Sequence, residues 1–342
     1  MNKLMLGAAA VALTLAASPA FAADDSGVKL GLGGYFKGYM NYTNEDDVRS
    51  VDMLRDTEVH FSGETTLDNG LTVGAHIEAA ADGTSADGFA VDESYLYFAG
   101  SWGRVNAGNE DGAAYLLQVA APSADDNIDG IRSFIAPTTL GTGLSVDYAN
   151  DVARGSDKLT YLSPVFSGLQ VGVSYTPELG AAGSSGNRTS LAAPVGLSNI
   201  MEAAVRYEGM ISNVGLIAGA GYTTAQDSDV DEWNAGVDLD IGAFGLGAVY
   251  TNSQYDELAT DLDTYAVGAD YTTGPFKLGA SYLNTDGDLA GVDTNVDRYA
   301  AGVVYSYGPG MTFRGSVGYA EGDFGAASAD ATTVTIGTQV NF

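Results

Sequence analysis

Ala331-Thr-Thr-Val-Thr-Ile-Gly-Thr-Gln-Val-Asn-Phe342 ends the chain. Val334, Ile336, Val340 and Phe342 share one parity, and Thr333, Thr335, Gly337, Gln339 and Asn341 share the other. A strand sends alternate side chains to opposite faces, so this segment has one apolar and one polar surface. A helical period does not sort it. An apolar strand left unpaired is an aggregation hazard. The expectation is that it closes a barrel by pairing with the first mature strand, Val28 to Tyr42. Its apolar face then meets lipid, and its Thr, Gln and Asn side chains meet enclosed water.

The same alternation runs through the chain. In Val28 to Tyr42, Leu30, Leu32, Phe36, Met40 and Tyr42 oppose Lys29, Tyr35, Lys37 and Asn41. After a polar loop at Asn44 to Asp47, Val59, Phe61 and Leu67 alternate with Glu58, His60, Ser62 and Glu64. Asp68-Asn69-Gly70 signals a tight turn, and Leu71, Val73, Ala75 and Ile77 then alternate with Thr72, His76 and Glu78. So charged an inner face is intolerable in a dry core but ordinary on the wall of a water-filled lumen. Glu93 to Phe98 continues the rhythm.

Between about Asn109 and Asp157 the rhythm breaks, with one helical turn expected near Tyr115-Leu116-Leu117 and a short extended piece at Val146 and Tyr148. Loops of this length inside a compact architecture are usually functional. Hairpins resume at Lys158 to Thr176, and four more precede the closing strand. The fold class is all-β: a transmembrane antiparallel up-and-down barrel of about sixteen strands, though fourteen or eighteen also fit. Short turns are expected to alternate with longer loops. Tyr222, Trp233, Tyr250, Tyr271, Tyr282, Tyr305 and Tyr319 sit near strand ends, as interfacial aromatic girdles do.

Composition narrows the class further. Lys3, the apolar run Leu4 to Ala17 and Ala20-Phe21-Ala22 read as a secretory signal peptide, giving residues 1–22 as signal and 23–342 as barrel. With no Cys there is neither a disulfide framework nor a thiolate metal cluster. A formal net charge of −30 disfavours nucleic acid and anionic headgroups as electrostatic partners.

Only 14 Lys and Arg occur, so their placement is informative. Parity puts Lys29, Lys37, Arg104, Lys158, Arg206, Lys277, Arg298 and Arg314 inside, where they avoid the roughly 2–4 kcal/mol of a lipid-facing cation near the midplane. The long loop, residues 109–157, offers Glu110, Asp111, Asp125, Asp126 and Asp129. Folded inward, these carboxylates face wall cations across an aqueous gap, with Lys37, Arg104 and Lys158 expected nearest. Such a transverse field sets ion preference. His60 and His76 share lumenal parity on neighbouring strands, but without a third ligand they read as polar wall residues. Asp286-Gly287-Asp288 and Asp293 lack the spacing and terminal Glu of a calcium loop. Adventitious Ca2+ or Mg2+ between acidic loops is the most this pattern supports, and no cofactor is expected. Gly31, Gly33 and Gly34 precede no helix, so they are not a phosphate-binding loop.

Glu58-Val-His-Phe-Ser-Gly, Leu67-Asp-Asn-Gly-Leu-Thr-Val-Gly-Ala, Tyr161-Leu-Ser-Pro-Val-Phe-Ser-Gly-Leu-Gln-Val-Gly-Val-Ser-Tyr and the terminal Val340-Asn-Phe together resemble a Gram-negative general porin of the alphaproteobacterial type. The resemblance covers essentially the whole mature chain. It implies a sixteen-stranded homotrimeric barrel in the outer membrane, in contact with lipid and lipopolysaccharide, with the third external loop folded into the pore. It also implies that Phe342 belongs to the signal read by the barrel-assembly machinery. One departure from the family pattern is the scarcity of Arg and Lys opposite the loop acids.

The expected function is passive diffusion of ions and small hydrophilic solutes, with cation preference. The alternatives are a substrate-selective channel, for which Tyr35, Tyr39, Tyr95 and Tyr97 have inner parity, and a non-conducting surface barrel or adhesin. An enzyme is disfavoured, because no nucleophile elbow or other catalytic set occurs.

Overall fold

The computed structural model describes residues 22–23, 27–81, 90–123, 138, 147–179, 197–225 and 227–342. Its first eight long strands are β1 (Lys29–Asn44), β2 (Val51–Thr66), β3 (Thr72–Ala80), β4 (Ala90–Gly100), β5 (Gly103–Glu110), β6 (Ser156–Leu162), β7 (Leu169–Glu178) and β8 (Ser198–Ile211). The second eight are β9 (Val214–Ala225), β10 (Val230–Ile241), β11 (Phe244–Tyr255), β12 (Thr260–Thr273), β13 (Phe276–Leu289), β14 (Val292–Gly308), β15 (Met311–Phe324) and β16 (Ala327–Asn341). Each pairs antiparallel with its chain neighbours, and β16 pairs back onto β1. This sheet therefore has no free edge, which removes the hazard carried by an unpaired apolar strand. Ala22–Ala23 adds a two-residue bridge against Leu30 and Lys29.

The seam is the one expected from the terminal segment. Thr332 to Asn341 run opposite Asn44 to Tyr35. Just beyond the last strand residue, Gly34 N donates to the Phe342 carbonyl and Phe342 N donates back to the Gly34 carbonyl, each at 3.0 Å. Gly34 has φ +154°, and a Cβ there would collide with the Glu58 carbonyl oxygen. Only glycine tolerates that kink, and it lets β1 serve both neighbours.

Side chains sort as the parity demanded. On β1, Leu30, Leu32, Phe36, Met40 and Tyr42 point outward and are exposed, whereas Lys37, Tyr39 and Asn41 are buried inside. On β16, Val334, Ile336 and Val340 are outside while Thr333 and Thr335 are inside. Thr335 Oγ1 donates to Asn41 Oδ1 at 2.8 Å, so the lumenal faces also hydrogen-bond across the seam. Among the described residues no helix is long and apolar enough to cross a membrane.

Outward aromatics form two belts. One contains the Trp233–Tyr250 and Tyr282–Tyr299 pairs, each with ring centroids 4.9 Å apart. The other contains Phe244–Tyr271 and Phe276–Tyr305, also 4.9 Å apart. On β12, Tyr265 and Tyr271 belong to different belts, and the six steps between them span about 20 Å along the strand at ~3.4 Å per residue. The hydroxyls of Tyr222, Tyr250, Tyr282 and Tyr319 donate to Asp231, Asp263, Asp297 and Glu321. The rings thus carry a polar rim on the side away from the apolar band, the arrangement expected at a membrane–water interface.

Two expectations need correction. Short turns and longer loops do not alternate to the end: β13 meets β14 across Ala290 and Gly291, and β15 meets β16 across Gly325 and Ala326. The strands continue past the belts instead, so Asp286 and Asp288 lie on β13 and Asp293 on β14, in register across a hairpin. Likewise β2 starts at Val51, well before Val59.

Candidate functional site: the lumen and its inturned loop

After Glu110 the chain turns into the barrel. A single helical turn, α1 (Ala113–Leu116), is followed by an irregular run to Ser123. Ala113, Ala114, Leu116, Leu117, Val119 and Ala121 are all buried there. They can be, because the inner faces of β7 and β9 to β12 carry glycine where they pass: Gly172, Gly219, Gly221, Gly236, Gly247 and Gly268. A Cβ on Gly268 would collide with the Pro122 carbonyl oxygen, and one on Gly247 would stand 2.5 Å from Pro122 Cδ. The wall is bare so that an apolar loop can lie on it. Burying each Leu or Val of that loop contributes roughly 1.5–3 kcal/mol.

Hydrogen bonds join the loop's outgoing limb to its return and to the wall. Gln118 Nε2 donates to the Tyr148 carbonyl at 2.7 Å, and Asn150 N donates to Gln118 Oε1 at 2.9 Å. Ala121 N donates to the Tyr148 hydroxyl at 3.1 Å. From the wall, Thr251 Oγ1 donates to the Tyr148 carbonyl and Thr223 Oγ1 to Asn150 Oδ1, both at 2.6 Å. Arg206 Nη1 donates to the Gln118 carbonyl at 3.0 Å. A buried loop must satisfy its main-chain groups somewhere, and here the lumenal face of the sheet does so.

The expected wall cations occupy specific places. Lys158 Nζ donates to the carbonyls of Glu110, Arg154 and Ser156, the last two at 2.6 and 2.9 Å. It therefore ties the loop's departure to its return. Arg104 Nε donates to Asn106 Oδ1 at 2.6 Å, and Asn106 Nδ2 donates to both Glu110 carboxylate oxygens at 2.6 and 2.8 Å. The Arg104 guanidinium also lies 4.0 Å from the Tyr97 ring centroid. Lys37 Nζ pairs with Asp56 at 2.7 Å and sits 4.2 Å from the Tyr35 ring centroid. Arg206 Nη2 stands 3.6 Å from Glu208, and Arg314 Nε donates to Thr312 Oγ1 at 3.1 Å. Arg298 is half-buried on β14, opposite Leu283 and Ala320. Asp111 is half-buried immediately after β5. Asp125, Asp126 and Asp129 lie outside the described residues, as does Val146.

A second lumenal feature crosses β1 to β4. Tyr35, His60, His76 and Tyr95 form a row of rings with successive centroid separations of 6.2, 5.8 and 5.4 Å. In register, His60 faces Glu78, His76 faces Tyr95 and Glu78 faces Glu93. Glu93 lies within electrostatic reach of Glu58, Glu78, Glu110 and Asp111. In a closed barrel of sixteen strands, β2 and β10 are half a circuit apart, so this charged row faces the wall that carries the loop. Reading parity alone places both histidines in the lumen but misses Glu78 as their companion. The Asp68-Asn69-Gly70 turn held the missing signal, because it fixes the register that sets His60 opposite Glu78.

The arrangement is a closed barrel with charged side chains on its inner wall and a loop lying against that wall from inside. Comparisons with known proteins agree with it. A "Monosaccharide porin" from a Halomonas species is 30% identical over 186 residues, 51% of this chain and 49% of that protein. The "Major outer membrane protein" of Halomonas elongata matches equally. The aligned region thus spans about half the length of these relatives. Solved structures superpose over more of the chain. An anion-selective porin from Comamonas acidovorans has a TM-score of 0.63 at 16% identity, covering 92% of this chain and all of that one (100%). A triple mutant of Rhodopseudomonas blastica porin gives 0.63 at 19%, with coverage of 92% and 100%. These likenesses show the barrel with an independent set of sequences. A family model described as "Gram-negative porin" matches residues 8–339, nearly the whole length of the closed barrel: the chain belongs to the Gram-negative porin family of the outer membrane.

Proposed function

We propose that the chain forms a water-filled channel through which ions and small hydrophilic solutes diffuse passively, with preference for cations. The observation that carries the preference is the acidic lumenal face of β2 and β3. Glu58, Glu64 and Glu78 stand there with the inward parity of His60 and His76, while Lys37, Arg104 and Lys158 are each engaged by Asp56, by Asn106 and Tyr97, or by main-chain carbonyls. Rings of fixed negative charge favour cation entry. Reversal potentials of single channels in a salt gradient test this, and anion selectivity would overturn it.

A second reading, a sugar-selective channel, is favoured by the lumenal ring row Tyr35–His60–His76–Tyr95 and by the name of the Halomonas relative. Saturable reduction of the ion current by a monosaccharide would support it over simple diffusion.

Association as a homotrimer belongs to the same proposal. Arg55 on β2 has the outward parity of Met53 and is exposed, level with Gly38 between Phe36 and Met40. An outward charge beside the apolar side chains of β1 marks this stretch of β1 and β2 as the place for a contact between subunits. Export by residues 1–22, contact with lipopolysaccharide, and reading of Phe342 by the barrel-assembly machinery complete the reading. Adventitious Ca2+ or Mg2+ at the acidic rim needs no resident cofactor.

A further inference from the structure

We propose that His60, His76 and Glu78 form a binding site for a divalent transition-metal ion of the zinc class in the channel wall. The chain contains only two histidines, and the fold brings them together. One ring nitrogen of each and one carboxylate oxygen of Glu78 all lie within 4.8 Å of one another. Glu78 Oε1 is the hub, 2.7 Å from His76 Nε2 and 3.7 Å from His60 Nδ1. Zinc holds nitrogen and carboxylate ligands at about 2.0–2.2 Å. Small rotations of these half-buried side chains bring three donors onto such an ion, and water from the lumen supplies the fourth position.

The surroundings match what such ions require beyond their ligands. A metal-bound histidine usually gives its other ring N–H to a carboxylate, which fixes the tautomer and aims the free nitrogen at the metal. Here His60 turns Nε2 to Glu58 and Nδ1 to Glu78. Glu58 is held in turn by the Tyr35 hydroxyl, which donates to its Oε2 at 3.1 Å. Glu93, opposite Glu78, places a further carboxyl beside the site without being a ligand. Imidazole donors select zinc, copper or nickel over the hard cations Mg2+ and Ca2+, which the many surface carboxylates would take up. An ion bound here puts two positive charges on the acidic side of the bore, so occupancy lowers the cation preference.

The site needs only the barrel's register, so it is tested apart from conduction. Zn2+ is titrated calorimetrically into the folded barrel in detergent, in excess Mg2+ to occupy hard-cation sites. The expected result is one zinc site per chain, weakened tenfold or more in His76→Ala and abolished in His60→Ala/His76→Ala. Glu58→Gln, which keeps all three ligands, is expected to weaken it by about 10-fold or more. Heat-modifiable migration on gels confirms that each variant is folded. Absence of zinc binding to the folded wild-type barrel, or binding unchanged in the double variant, overturns the proposal. A barrel that binds zinc but carries no current would leave the site standing and remove the channel reading; the converse would remove the site alone.

Discussion

Arg206 on β8 donates from Nη1 to the main-chain oxygen of Gln118, 3.0 Å away and 88 residues earlier in the chain. It is a direct ionic tether from the wall to the outgoing limb of the loop, deeper along that limb than the Lys158 bond to Glu110. Hydrogen bonds to charged groups contribute about 1.5–3 kcal/mol. Arg206→Ala is therefore expected to leave the barrel folded but loosen the loop by that order. The measurement is limited proteolysis together with open-channel current noise, both of which should rise. Equal values in variant and wild type would show that the remaining bonds from Thr223 and Thr251 suffice.

Gly268→Val places a side chain where the Pro122 carbonyl lies. Overpacking of this kind costs about 1–3 kcal/mol, and here the loop can yield more easily than the sheet. The expected outcome is a heat-modifiable barrel of normal gel mobility whose single-channel conductance differs clearly from wild type. Gly308→Ala is the control, since a Cβ there meets nothing within 4 Å and conductance should not change.

Selectivity should move in opposite directions with opposite charges. Glu58→Gln removes a lumenal carboxylate from the acidic face of β2, and reversal potentials should shift toward weaker cation preference. Lys37→Met leaves Asp56 without its 2.7 Å partner and should strengthen that preference. Parallel shifts in the two variants would mean that their effects come from altered bore shape rather than charge.

Phe342 offers two separable contributions. Its main chain exchanges two 3.0 Å bonds with Gly34, and its ring points outward from the barrel. Phe342→Ala keeps the bonds and loses the ring, so refolding in detergent should be near normal while assembly in cells falls. Deleting the residue removes both and should also slow closure of the barrel in detergent.

Periodicity made much of this legible. Parity within Val28 to Tyr42 and Ala331 to Phe342 identified inner and outer faces and the seam between them, because two solvents impose a strict period of two. Strand ends were harder to read. Beyond the aromatic belts both faces meet water, so Asp286 and Asp288 carry no alternation signal and look like a loop although they belong to β13. The seat of the loop was illegible for a different reason. A glycine such as Gly268 records only that something approaches closely, and Pro122, 146 positions away, gives no local sign that it is the neighbour. Between these extremes stands His60 opposite Glu78, recoverable by counting outward from Asn69 once the hairpin is accepted.

The glycine track beneath the loop has a bearing on how the bore is dimensioned. Wall and loop share one volume: every side chain withheld from β7 and β9 to β12 is space taken up by Ala113 to Pro122. Aperture is then a joint property of two distant stretches of chain. A bulkier residue on the track and a bulkier residue in the loop are interchangeable errors, and each has its remedy in the other stretch. Residues that never line the passage can thereby tune its width.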